Sequence, residues 1–275
     1  MGSAERRRLI VTADDFGQSA SINSAVALAH REGILTCASL MVNEKGFEEA
    51  VEIAKANPRL GVGLHLTLCC GHAALSAKDI PDLINEDGTL PHSGVAAGFA
   101  YYFSRELRRQ VTAEIEAQFE KFEATGLKCD HVNGHLSFHL HPVVLPIVIK
   151  EMRARGIKAM RLTRPSLLEW ELGSGRWLYR TSHWQIFKRL SRRADSILAQ
   201  EVVAHTDYVF GLLEDSRVNE KFVLSLLRGL PTGSSELYSH PNSADSRAEL
   251  DALTSPRVKA TLAEQGIELI RYADL

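Results

Sequence analysis

The stretch "RLIVTADDFGQSASINSAVALAHREGILTCASLMV", residues 8–42, holds the pattern that decides the fold. Its opening, "RLIVTADD", is a short apolar run rich in β-branched residues and reads as a buried strand. "SASINSAVALAHREG" follows, with serine at its start and Gly33 at its end, the signals that open and close a helix. "LTCASLMV" is then a second short apolar run. Strand, helix, strand is the unit from which parallel sheets are built.

The alternation continues outward from there. "LGVGLHLTL", "CDHVN", "KAMRLTR", "HTDYVFGL" and "GSSELYSHP" read as further strands. Between them lie helical segments: "GFEEAVEIAKANP", "SRELRRQVTAEIEAQFEKFEATG", the run opened by Pro142, and "SRVNEKFVLSLLRG". The final segment, "VKATLAEQGIELIRYADL", reads as a helix and a last strand. About eight strands alternating with helices predict an α/β protein, and the length suits a (β/α) barrel of roughly 250 residues. The expectation is one domain over residues 1–275, a TIM-like (β/α) barrel that is regular, distorted or incomplete. A doubly wound open sheet is the rival. Against it, the first strand ends in "ADDFG" and not in a glycine-rich phosphate loop. Two insertions, residues 67–103 and 165–204, read as lid segments. The second carries Trp170, Trp177 and Trp184 at spacings of seven, but the glycines of "ELGSGRW" argue against one continuous helix. Packing of these rings against their own domain is the expectation.

Composition narrows the function classes. Lysine plus arginine number 32 and aspartate plus glutamate 34, a formal net charge of −2. Nothing here calls for a nucleic-acid partner. Basic residues do cluster at Arg6, Arg7 and Arg8 and in "FKRLSRRAD", residues 187–195. A solvated face explains such runs, with peripheral contact at an anionic membrane as the alternative. No run is long and apolar enough to span a bilayer, and the apolar part of "RRRLIVTADDFG" is too short for a signal peptide. Cys37, Cys69, Cys70 and Cys129 have no zinc-ribbon spacing, and reduced thiols in the cytoplasm, with peripheral contact at the inner membrane as an option, are the expectation. A homodimer is an open possibility.

Chemistry-bearing residues gather at the carboxyl ends of the strands, where parallel α/β folds place their sites. The first strand ends in Asp14 and Asp15, and the third carries His65. "DHVNGHLSFHLHP", residues 130–142, holds His131, Asn133, His135, His139 and His141. The fifth strand carries Arg161 and Arg164, and "YSHP" carries His240. Asn133-Gly134 reads as a turn. One carboxylate with two histidines leaves open positions on a divalent metal. Asp14 and Asp15 could split their work, one on the metal and one on a water beside it. Each residue alone has a plainer reading, Asp14-Asp15 as a helix cap, His65 as a core histidine, His240-Pro241 as a loop; their coincidence at one rim points to a metal site.

With "VTADDFG", "VGLHLTL", "DHVNGHLSFHLHP" and "YSHP" in view, the chain resembles the YdjC-like (ChbG-type) carbohydrate deacetylases almost end to end. "IPDLINEDGTL" and "FAYYFSRELRRQV" liken it further to the hopanoid-biosynthesis-associated branch, the HpnK type. The resemblance implies removal of an N-acetyl group from an N-acetylglucosamine-type sugar by a metal-dependent hydrolase. It implies Asp15, His65 and His135 as ligands of one divalent ion, Mg²⁺ or Zn²⁺, with Asp14 as base and His240 as acid. Asn133, His139, Arg161 and Arg164 would lie at the substrate or the base, and His131 and His141 would be structural. Asn133 stands where the family has aspartate, and Leu136-Ser137 where it has two histidines. The HpnK likeness implies an N-acetylglucosaminyl hopanoid lipid as substrate. A chitooligosaccharide deacetylase, a barrel phosphoesterase and an inactive carbohydrate- or lipid-binding protein are the rival readings.

Overall fold

The computed structural model describes residues 6–244 and 247–275; the rest of the expected 1–275 domain lies outside the described residues. In chain order the elements are β1 (Arg7–Phe16), α1 (Ala20–Glu32), β2 (Cys37–Leu40), α2 (Phe47–Ala56), β3 (Gly61–Leu66), α3 (Gly94–Phe103), α4 (Arg105–Glu123) and β4 (Val132–Gly134). Then come α5 (Val144–Ala154), α6 (Leu167–Leu172), α7 (Trp177–Gln200), β5 (Tyr208–Phe210), α8 (Glu220–Gly229), β6 (Gly233–Ser239), α9 (Ala248–Thr254), α10 (Pro256–Glu264) and β7 (Glu268–Leu269).

The sheet runs β4-β3-β2-β1-β6-β5, with β7 pairing the start of β1, and among the described residues these strands all pair in parallel. It is a curled half-barrel and not a ring of eight regular strands. "KAMRLTR" forms no regular strand. Single parallel bridges, Val132 to Met160 and Ala159 to Ala204, continue the curve from β4 towards the segment that enters β5. The reason lies inside: Arg161 is fully enclosed and spends its side chain on acids of other strands, so this segment follows its ion pairs and not a ladder.

Alternation along β1 divides two environments. Leu9, Val11 and Ala13 face the main core beneath the helices. Ile10 joins Cys37, Ala159, Ile270 and Tyr272 in a small apolar plug inside the curl. Above that plug the interior is polar. Thr12 donates to Glu236 (2.6 Å), Tyr272 donates to Glu236 (2.5 Å), and Arg161 donates to both Glu236 oxygens (2.8 and 3.0 Å). His131 stacks on Tyr272, 4.4 Å between ring centres, and bonds Ser39. Gly63 makes room for that ring: a Cβ there would lie 2.4 Å from the His131 carbonyl oxygen.

Both insertions carry helices. Residues 67–103 end in α3, which packs on α4. Residues 165–204 form α6 and α7, broken at Gly173–Gly175 as the glycines suggested. Arg180 anchors them: buried, it donates to the carbonyls of Glu169 and Trp170 and lies 3.5 Å from Glu214. Trp170 and Trp184 pack edge to face, whereas Trp177 is 73% exposed. The expectation of packed rings therefore fails for Trp177.

Candidate active site

The end of β1 delivers two adjacent carboxylates to one place, which a regular strand cannot do. The β1–β2 register shifts between Ala13 and Phe16, and Asp15 takes a left-handed backbone, φ 59°. Asp14 faces inward by alternation after Ile10 and Thr12. The bulge turns Asp15 back to the same side. Both are buried.

Asp15, His65 and His135 bring one ligand atom each within 4.8 Å of one another. Asp15 Oδ1 lies 2.9 Å from His135 Nδ1 and 3.2 Å from His65 Nε2. His65 is the last residue but one of β3 and His135 the first residue past β4. His65 Nδ1 pairs with Asn133 Oδ1 at 2.7 Å. Asn133 can only accept there, because its Nδ2 donates to Asp14 (3.0 Å) and Ser39 (2.9 Å). The proton of His65 is therefore on Nδ1, and the lone pair of Nε2 faces a carboxylate oxygen. Nε2 has no hydrogen-bond partner although it is buried. A lone pair facing an acceptor at 3.2 Å fits a cation between them. Two imidazoles and a carboxylate suit Zn²⁺ and similar transition ions, and leave positions open.

Asp14 is gripped by Arg161 at 2.5 and 3.0 Å, two-pronged. Burial alone would raise its pKa; the guanidinium outweighs this and holds the carboxyl well below the usual range. Asp15 behaves likewise, burial opposed chiefly by the hydrogen bond and charge of His135. His240, just past β6, has Nδ1 3.4 Å from Asp215 Oδ1, and its backbone N–H donates to Glu249 (2.6 Å). Burial would lower its pKa, but the carboxylates of Asp15, Asp14 and Asp215 carry it above the ordinary value.

A cavity of about 760 Å³ opens over these groups. Asp14, His65, His135, Arg161 and His240 line it. Its other walls are α3, with Phe99, Tyr102 and Phe103, and α7, with Ile186, Phe187 and Leu190.

Three sequence expectations need correction in position. Asn133 is fully buried within β4, beneath the site, holding His65 and Asp14, and the turn falls instead at Leu136 and Ser137, both left-handed. His139 is also fully buried; its Nε2 meets the Arg161 carbonyl, and burial beside Arg161 lowers its pKa to about 3. It does not face the cavity. Arg164 turns away to His205 (3.2 Å) and Asp195 (3.5 Å). Arg161 reaches the cavity, but its donors are spent on Asp14 and Glu236.

Sequence reasoning passed over Asp215 and Glu236. Glu236 was visible as a lone charge inside "SSELYS"; Asp215 lies in a loop with nothing to mark it. A second trio, Cys37, Asp130 and His131, sits on the opposite side of the interior, beside Tyr272. Burial raises the Cys37 thiol far above its ordinary pKa, so it is a protonated donor to Asp130 (3.5 Å).

The YdjC-like protein family profile matches residues 8–264. A carbohydrate deacetylase of Brevibacillus brevis is 32% identical, covering 98% of this chain and 99% of its own. A chitooligosaccharide deacetylase of Proteus mirabilis is 26% identical, covering 97% and 98%. A solved Enterococcus faecalis structure, provisionally assigned to cellobiose-phosphate cleavage, superposes with a TM-score of 0.78 at 23% identity, covering 98% of each chain. That last likeness is one of fold. With β1, β3 and β4 delivering the site residues just described, and with the match running nearly from end to end, this chain belongs to the YdjC-like protein family.

Proposed function

We propose that this chain is a metal-dependent carbohydrate N-deacetylase whose substrate is an N-acetylglucosaminyl lipid of the hopanoid kind. The observation that carries the chemistry is the Asp15–His65–His135 trio, whose two histidines line one cavity with Asp14 and His240. The names of the curated relatives support the reaction class. The trio would hold the metal, which when bound supplies a Lewis acid and lowers the pKa of a bound water. Asp14, kept ionised by Arg161, accepts the proton of the attacking water. His240, whose carboxylate neighbours favour its protonated form, returns a proton to the sugar nitrogen as the amide C–N bond breaks. Acetate and a free amino sugar result.

The lipid part of the reading rests on the cavity walls. Phe99, Phe103, Ile186 and Leu190 offer little to sugar hydroxyls and much to a hydrocarbon. A free chitooligosaccharide is the second reading, favoured by the name of the Proteus relative. A phosphoesterase fits less well, because Arg161 already engages Asp14 and leaves few free carboxylates for a second ion.

The test is acetate release from lipid-linked and free N-acetylglucosaminyl substrates by metal-stripped protein, with Zn²⁺ or Mg²⁺ added back. Metal-dependent release, lost in Asp14→Asn and faster on the lipid-linked substrate, is expected. Release from chitobiose alone would move the substrate to the second reading. No release from any substrate with metal bound would overturn the hydrolase.

A further inference from the structure

Between Gly94 and Phe103, α3 carries no charged residue. Ala97 and Tyr101 pack inward, but Val95 is 74%, Phe99 65% and Phe103 74% exposed. Large apolar groups clustered on the water side of a helix mark a surface that something covers. α7 forms the opposite lip of the same cavity, with Ile186 half exposed, and Trp177 and Leu178 stand out at its start.

The exposed charges of α7 from Lys188 to Arg193 are all positive, while Asp215, an acid on the cavity wall, is turned to His240. Arg189 and Arg193 continue the strip of Ile186 and Leu190 one helical turn on. They are exposed, as are Lys188 and Arg192. Asp195, the acid closest in sequence, is turned to Arg164 and His205. Arg108 lies over the ring of Tyr102, which lines the cavity, 5.9 Å from its centre.

We propose that this face, α3 with the outer strip of α7, seats on an anionic lipid bilayer. Exposed aromatic and aliphatic groups flanked by unpaired cations are the composition of helices that lie in a membrane interface. Among the described residues no helix is long and apolar enough to cross a membrane, and the contact proposed is peripheral. A second copy is the poorer occupant, because a two-fold contact through this face would gather the cations of both copies, Lys188 to Arg193, into one interface. Seated this way, the cavity mouth opens onto the lipid surface, and a sugar head group enters without the lipid leaving. The direction of entry, though not the docking, rests on the lipid-linked deacetylase reading.

The experiment is flotation of the full, metal-loaded chain with vesicles of phosphatidylcholine alone or mixed with phosphatidylglycerol. Binding to the mixed vesicles, weakened by salt, is expected. Arg189→Gln with Arg193→Gln weakens it about 25-fold, at about fivefold per cation, and Leu178→Ser also weakens it. Acetate release from a soluble substrate stays unchanged in the arginine variant, which shows that the site is intact. Equal binding to both vesicle types, or no loss in the arginine variant, would overturn the proposal. So would a dimer that protects α3 from hydrogen exchange while vesicles go unbound. Vesicle binding as expected with no acetate from any substrate would uphold the docking surface and remove the deacetylase reading.

Discussion

Asn133→Ala tests whether His65 is held for a metal. The substitution removes the acceptor 2.7 Å from His65 Nδ1 and two donations, to Asp14 and Ser39. Asp14 keeps both bonds from Arg161, and Ser39 keeps His131. Only His65 Nδ1 is stranded, so the cost in stability is about 1–3 kcal/mol, the penalty of one unsatisfied buried group. The metal should suffer more specifically. Freed of its partner, the imidazole can flip tautomer and offer a proton where it offered a lone pair. Loss of such an orienting partner weakens metal affinity about 10–100-fold. Calorimetric titration of Zn²⁺ into metal-stripped protein, with a melting curve in the absence of metal, separates the two effects. Asn133→Asp sharpens the contrast. It keeps an acceptor for His65 but sets a carboxylate 3.0 Å from Asp14 Oδ1. At an effective dielectric of about 20, two unit charges at that distance repel by about 5 kcal/mol. Metal affinity should survive there while activity falls, because Asp14 then shares a proton. An Asn133→Ala protein that melts normally and binds Zn²⁺ within about twofold of the parent would refute the orienting role.

Three further outcomes are expected. His135→Ala abolishes Zn²⁺ binding, whereas His131→Gln leaves it intact, since His131 bonds Ser39 and stacks on Tyr272 away from the trio; the reverse pattern in titrations would exchange their roles. Asp215→Asn lowers the His240 pKa, and because a general acid works only while protonated, the alkaline limb of the rate–pH profile moves to lower pH; an unmoved limb would separate Asp215 from the chemistry. Glu169, raised by burial to about 7 despite three backbone N–H donors, keeps its proton in the folded protein between pH 4.5 and 7 while the unfolded chain gives it up. Stability present below pH 4.5 is thus lost towards pH 7, of the order of 3 kcal/mol; Glu169→Gln should raise Tm at pH 8 and not at pH 4, and equal shifts at both would contradict it.

The reach of the sequence differed between the two ends of the argument. β1, β2 and β3 were legible because each is an apolar run bounded by turn residues, and "VTADDFG" and "GLHL" stood out as polar groups at strand ends. What failed did so for tertiary reasons. "KAMRLTR" has strand composition, yet Arg161 is claimed by Asp14 and Glu236 and the ladder gives way. Asn133 looked like a turn residue because Asn-Gly favours turns; three side-chain bonds inside the curl hold it in β4 instead. Asp215 belongs to the site only through its distance to His240, which no spacing encodes.

The wall between β4 and β5 is held by single bridges where the other strands have ladders. Across it Met160 N–H meets the Ala204 carbonyl, and Ala204 N–H meets that of Lys158. These few bonds join the segment that carries Arg161 to the end of the insertion that carries α7. The curl therefore has a seam, and the seam is the place where it gives most easily. A push on α7 from outside therefore has a backbone route through Ala204 to the segment that carries Arg161, and through Arg161 to Asp14.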